Sequence, residues 1–293
     1  MQELPQILVN GLIIGGVYAL VAVGYSLVYG VLRLINFAHG GFFTVGAFAS
    51  FVLLGRGNVN LFLVLFLVAG LGAGLGVLIE RVAYRPLRCA PTIAPLITAL
   101  GVYAIIENGI ALLFGSDAQV LPPGFFPNGS IGSNLGFTLT YVQAATALLV
   151  LTALLFLWFL VYRTQIGRDM RAVADNRELA AAVGINNTTT IRAAFAIGSA
   201  LGASAGIAIA ADVGCDPYMG MIVGFKAFAA CVVGGIGSIG GAVIGGLLLG
   251  IFENLVAGYI STEYKSASVM ALLVLLLLAR PDGLFAAFRG RQV

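Results

Sequence analysis

The chain has 293 residues, of which 60% are hydrophobic and only 9% charged, with a net charge of +3. An ordinary soluble domain carries about 25% charged residues, so a soluble fold could not cover its own surface, and the mean hydropathy of +1.04 fits a bilayer as solvent. No basic block stands ready for phosphates, which argues against nucleic acid as a partner, and Cys89, Cys215 and Cys231 are too scattered for a disulfide framework.

A hydrocarbon core about 30 Å thick takes roughly 20 apolar residues per helix. Apolar runs at 7–30, 37–54, 61–79, 92–114, 139–162, 191–211, 223–238, 241–260 and 266–280 predict an all-α, polytopic transmembrane bundle of eight or nine spans. The runs at 37–54, 223–238 and 266–280 are short, as broken or re-entrant helices are. The opening MQELPQ lacks the positive region of a cleaved signal peptide, so the first span is expected to be retained. No linker divides residues 1–293, which read as a single transmembrane domain.

Next comes INFAHGG (35–41), which holds the only histidine, His39, beside Asn36. No Cys, carboxylate or second His accompanies it at ligand spacing, so no metal site is expected, nor is a Ser–His–acid arrangement. The pair reads either as polar groups satisfying backbone freed at a helix break or as a lining of a solute path, and the two are compatible. Glycines at 11, 15 and 16 in the first span echo Gly198, Gly202 and Gly206 in the sixth, a likeness of composition alone.

Lys and Arg in short loops set orientation. Arg81, Arg85 and Arg88 lie in 80–91, Arg163, Arg168, Arg171 and Arg177 in 163–190, and Arg280, Arg289 and Arg291 in the C-terminal segment. Segment 115–138 has neither Lys nor Arg, and 212–222 has only Asp212 and Asp216 as charged residues. The basic loops are expected in the cytoplasm, with the N-terminus outside and the C-terminus inside; only Arg56 argues weakly against this. Glu107, Lys226 and Glu253 fall within apolar runs and are expected to face the protein interior, with Lys226 paired to one glutamate or all three serving ion coupling.

Segment 163–190 is too polar for a span and too periodic for an irregular loop. Asp175 and Glu178 have the spacing of a capping box, and Gly184 stands where a C-cap belongs. They predict a helix of about two turns, 176–183, exposing Ala180, Ala181 and Ala182. A helix so short is unstable alone, and docking onto a soluble partner is favoured over lying on the membrane.

Gly198, Gly202 and Gly206, and again Gly237, Gly241 and Gly245, recur at four-residue spacing, the pattern of close helix crossings. The stretch GGIGSIGGAVIGG (234–246) also predicts a break, with Gly235 and Gly237 as candidates for exposed backbone beside a solute path. Its formal G-x-G-x-x-G lacks the strand, βαβ context and acidic residue of a dinucleotide site.

Taken together, YALVAVGYSLVYGVLRLINFAHGG (18–41), ERVAYRPLR (80–88), GRDMRAVADNRELAAAVGIN (167–186), GFKAFAACVVGGIGSIGGAVIGG (224–246) and STEYK (261–265) resemble the permease subunits of branched-chain amino acid ABC importers, the LivH type. Two positions depart from the family pattern: Gly41, where an acidic residue often stands, and Gly240, where a proline often stands. The resemblance implies a second homologous permease, two cytoplasmic ABC ATPases and an extracytoplasmic substrate-binding protein. It also implies that 167–186 holds the element touching an ATPase, which assigns that contact to Asp175, Glu178, Ala181, Ala182 and Gly184. The residues agree on energetics: neither of the two lysines, Lys226 and Lys265, belongs to a G-x-x-x-x-G-K-[ST] loop, so ATP would be used by partner chains and no cofactor is expected on this one. The competing reading is an ion-coupled secondary transporter or channel for a small polar solute. A membrane enzyme is disfavoured, since no nucleophile–base pair presents itself.

Overall fold

The computed structural model describes residues 4–55, 60–88, 90–91, 93–120, 129–131, 137–280 and 283; Arg56, Cys89, Arg289, Arg291 and much of the 115–138 loop lie outside them. The chain folds as α1 (Leu4–Leu32), α2 (His39–Gly55), α3 (Leu61–Ile79), α4 (Ile93–Phe114), α5 (Tyr141–Arg163), α6 (Gln165–Asp175), α7 (Arg177–Ala182), α8 (Asn187–Asp212), α9 (Met219–Gly234), α10 (Ile239–Tyr259) and α11 (Lys265–Ala279). Each of the nine apolar runs is one helix, to within a few residues at either end. Among the described residues six helices are long and apolar enough to cross a membrane, α3 among them with its continuation to Leu87. The three shorter ones, α2, α9 and α11, are the runs read as short in the sequence.

Helix α1 sits at the centre, buried along most of its length after Gly11. It packs antiparallel against α10 with almost no side chains between the two backbones. A Cβ on Gly11 would come 2.8 Å from Ile251 Cα, one on Gly15 2.9 Å from the Gly246 carbonyl, and one on Gly250 would run into the backbone of Gly15. Helix α8 packs the same way on α2 and α3, through Gly206 against Phe43, Gly46 against Ala203, and Gly72 and Gly76 against Ser199. In lipid, helices are not driven together by the hydrophobic effect, so close backbone approach and dispersion carry this association. The row Gly198, Gly202, Gly206 is therefore a packing face. The second row is shorter than its spacing suggested: Gly241 and Gly245 lie on α10, but Gly237 stands in the turn before it, with φ +87°.

The basic residues gather at one end of the bundle. Arg33 donates to the Ala174 carbonyl at 2.9 Å and Arg88 to Thr188 at 3.2 Å, while Arg177 donates twice to the Val31 carbonyl, at 3.0 and 2.5 Å. Burial first, and the like charges of Arg88 and Arg33 after it, lower the pKa of Arg177 from its ordinary value. At the opposite end, an antiparallel bridge between Gln119 and Cys215 joins the α4–α5 and α8–α9 connections. Two short strands there, β1 (Ser130–Ile131) and β2 (Leu139–Thr140), pair antiparallel.

Among the intramembrane charges, Lys226 of α9 donates to Glu253 of α10 at 2.7 Å, and Lys265, first in α11, lies 3.6 Å from the same oxygen. The Lys226 ammonium also sits 5.8 Å from the centre of the Tyr18 ring on α1. Glu253 is fully buried and Lys226 nearly so. The group ties α9, α10 and α11 together, while Glu107 on α4 makes no ion pair among the described residues.

Two stability tests follow from this packing. Gly250→Val should destabilise the purified protein by about 1–3 kcal/mol or prevent its assembly, whereas Gly74→Val, where a side chain meets nothing within 4 Å, should leave melting temperature and yield unchanged. Lys226→Met should cost up to about 3–5 kcal/mol by leaving the buried Glu253 carboxylate with only the longer contact to Lys265, and adding Glu253→Gln should recover most of it; thermal melting of the detergent-purified protein reads both.

Candidate functional site: the lead-in to α2 and the cleft beside it

After α1 ends, residues 33–38 turn back into the bundle before α2 begins. Arg33 takes a left-handed φ of +57°, the one non-glycine residue to do so among those described. Helix α2 then starts at His39, whose ring lies against Gly24 of α1 and Gly202 of α8. Gly24 is eight residues from the end of α1, or about 12 Å along its axis, so α2 starts at membrane depth. Irregular backbone is tolerated there only inside protein or along a cavity.

Both conditions hold. Asn36 Oδ1 accepts from the Ala38 N–H at 3.1 Å and from the Tyr84 hydroxyl at 2.6 Å, and the Asn36 carbonyl accepts from the His39 N–H at 3.0 Å. Asn36 thus does what the first reading of INFAHGG expected, satisfying backbone at the break. His39 is fully buried, its ring centre 4.7 Å from that of Tyr25 and 5.7 Å from that of Phe42. Neither of its ring nitrogens has a hydrogen-bond partner among the described residues.

Beside this lead-in lies a narrow cleft of about 20 Å³, room for about one water and far below the roughly 300–1,000 Å³ of sites for drug-sized ligands. Its walls are Tyr25 of α1, Phe37 of the lead-in, Leu100 and Tyr103 of α4, and Gly220, Met221, Gly224 and Phe225 of α9. The lining is apolar and aromatic apart from two tyrosine hydroxyls. The glycines matter here, because a Cβ on Gly220 or Gly224 would press on the backbone of Gly40; their absence of side chain lets α9 cross the first turn of α2. Phe37 is held between Phe225 and Phe228 of α9, at ring distances of 5.8 and 5.5 Å.

Of the residues picked out for a solute path, Asn36 and His39 flank Phe37 but are not themselves among the lining side chains. Gly235 and Gly237 do break the chain as expected, with φ values of +93° and +87°. They form the turn between α9 and α10 at the basic end, Gly237 level with Gly30 of α1, away from the cleft. Tyr25, Tyr103, Gly220 and Gly224 were not singled out, because in sequence they look like any residue of a glycine-rich span.

The second group of expected residues sits on an elbow at the basic end. Helix α6, not foreseen as a helix, begins at Thr164, whose hydroxyl accepts from the Gly167 N–H at 3.3 Å, and buries Gly167, Met170 and Val173. Helix α7 follows at once, and its cap corrects the reading of Asp175. That residue closes α6, and it is Asn176 whose side chain accepts from the N–H groups of Glu178 and Leu179, at 2.9 and 3.0 Å. The C-terminal end agrees with expectation: Gly184, at φ +88°, donates to the Ala181 carbonyl and Ile185 to that of Ala180, each at 3.0 Å. Ala180 is buried, contrary to the expectation of exposure, and the outward surface is Glu178, Leu179, Ala181, Ala182 and Val183.

A family model described as a branched-chain amino acid transport system permease component matches residues 7–279. The high-affinity branched-chain amino acid transport system permease protein LivH of Salmonella typhimurium is 39% identical over 94% of this chain and 93% of its own; LivH of Escherichia coli K12 matches to the same extent. BraD of Pseudomonas aeruginosa, a permease protein of the same description, is 38% identical over 95% of this chain and 94% of its own. A solved structure, PsaBC from Streptococcus pneumoniae in complex with Fab, superposes with a TM-score of 0.51 over 96% of this chain and 94% of that one. At 11% identity that likeness speaks for the fold alone. A multi-pass apolar bundle, matched along nearly its whole length by the family model and by relatives well above 30% identity, belongs to the branched-chain amino acid transport permease family.

Proposed function

We propose that this chain is the permease subunit of an ABC importer that carries branched-chain amino acids across the inner membrane. It works beside a second homologous permease, with an extracytoplasmic binding protein delivering the solute and two cytoplasmic ATPases supplying the energy. The carrying observation is the α6–α7 elbow: a capped helix at the basic end, with Leu179 and Val183 66% and 77% exposed around Ala181 and Ala182. So short a helix with an apolar tip needs a groove to sit in, and the chain has no phosphate-binding loop of its own. Orientation follows from the same end, since Lys and Arg favour the cytoplasmic side. The cleft is the part of the solute path built by this subunit; its aromatic and aliphatic lining suits leucine, isoleucine and valine.

In proteoliposomes holding the full complex, leucine uptake should require ATP and the binding protein and persist when a protonophore is added. Uptake that a protonophore abolishes at constant ATP would favour an ion-coupled transporter instead. Cysteines placed at Ser130 and Arg168 should label with an impermeant thiol reagent in intact cells at the first site only, and the reverse pattern inverts the topology. Ala182→Glu should leave insertion and folding intact while transport falls to background and the ATPase no longer responds to loaded binding protein. Asn176→Ala, costing about 1 kcal/mol of helix stability, should give a milder form of that defect, and Asp175→Ala almost none.

A further inference from the structure

The elbow and the cleft are linked through hydrogen bonds that hold the lead-in to α2 at both of its ends. At the near end, Arg177 of α7 donates to the Val31 carbonyl, and Arg33 donates back to the Ala174 carbonyl of α6. At the far end, the Tyr84 hydroxyl holds Asn36 Oδ1. Tyr84 closes a π-helical turn, Glu80–Tyr84, that continues α3. Glu80, at the start of that turn, is fully buried and paired with Arg88 and with Arg192 of α8. Arg88 also reaches Thr188 in the first turn of α8, and Asn187 beside it donates to the Arg177 carbonyl of α7 at 3.0 Å. The loop of contacts therefore leaves the elbow, passes through the π-turn and returns to the lead-in whose Phe37 forms a wall of the cleft.

A π-turn is a rare, single-turn departure from the α-helix that recurs at functional sites, and it gives the end of α3 a place to change shape without unwinding. Between the two clamps the backbone has no helical ladder of its own, so it can shift without breaking one. We infer that the lead-in, residues 34–38, is the gate of the solute path, and that Tyr84 is the positioning residue that makes it follow the elbow. The inference rests on the elbow being the site of ATPase contact. Tyr84 touches no solute; it acts by setting where Asn36, and with it Phe37, stands.

Two substitutions break the same link from opposite sides. Tyr84→Phe removes the hydroxyl and keeps the ring packed on Phe195, 5.2 Å away. Asn36→Ser keeps a side-chain oxygen for the Ala38 N–H but is too short to reach Tyr84. Both go into the assembled complex, with leucine as the probe, and four quantities are read: yield, basal ATPase, stimulation by loaded binding protein, and leucine imported per ATP hydrolysed. For Tyr84→Phe the expected result is unchanged yield and basal ATPase, with stimulation and leucine per ATP each down about fivefold or more. The double variant should be no worse than the poorer single one, because each removes one and the same interaction. Leucine per ATP equal to wild type in Tyr84→Phe overturns the inference. So does a loss confined to yield and melting temperature, or additive losses in the double variant, since either outcome makes Tyr84 and Asn36 independent structural residues. If the wild-type chain binds no ATPase at all, the proposed function fails first, and that result is visible before any variant is made.

Discussion

Everything in this bundle answers to one constraint: backbone N–H and carbonyl groups that leave a helix inside a membrane find no water to bond with. Helix α2 starts at membrane depth, and the chain leading to it exposes such groups. The fold meets the cost locally, with the Asn36 side chain bonded to the Ala38 N–H, and then globally, by enclosing the break among α1, α8 and α9. Enclosure requires helices to come closer than side chains normally allow. That is why the glycines cluster where they do, Gly24 and Gly202 around His39, Gly198 against Gly24, and Gly220 and Gly224 against Gly40. The cleft is what remains at the edge of that enclosure.

The same logic separates the two kinds of polar group within the spans. Lys226 and Glu253 are mutually neutralised and shared with Lys265, so they tie three helices at modest net cost. Glu80 is as deeply buried but faces two arginines at the basic end, where the bundle meets the elbow. One group fastens α9 to its hairpin partner; the other fastens the continuation of α3 to the base of α8. The cleft is bordered by α9 of the first group, with Phe37 on the irregular backbone that joins α1 to α2.

Much of this architecture was legible in the sequence, because length and apolarity alone define helices in lipid. Nine apolar runs became nine helices, and the three short runs became the three short helices. Gly184 was legible too, since a left-handed C-terminal residue almost demands glycine. The N-cap of α7 was not, because Asp175 and Asn176 are adjacent and both can cap; the choice fell to where α6 ended, a matter of tertiary packing. Ala180 was misread for a related reason, as its burial depends on α6 and α8 folding over it. The cleft was illegible for a deeper reason. Tyr25, Phe37, Tyr103 and Phe225 obey the same composition rules as lipid-facing residues, and only the crossing of α9 over α2 sets them apart. The π-turn at Glu80–Tyr84 likewise carries no local signature, as 80–84 falls in what the sequence reads as a basic loop after the third apolar run.

The pairing of α1 with α10 has a consequence for how the protein is made. Helix α1 carries a face of bare backbone at Gly11 and Gly15 whose partner, around Gly246 and Gly250, is synthesised long after it. Until then the lead-in to α2 also lacks α8 and α9, the helices that enclose it. The N-terminal third of the nascent chain must therefore stay in the bilayer with its closest contacts open while the ribosome completes the rest. A truncation before Ile239 strands every earlier helix without the one that locks the centre.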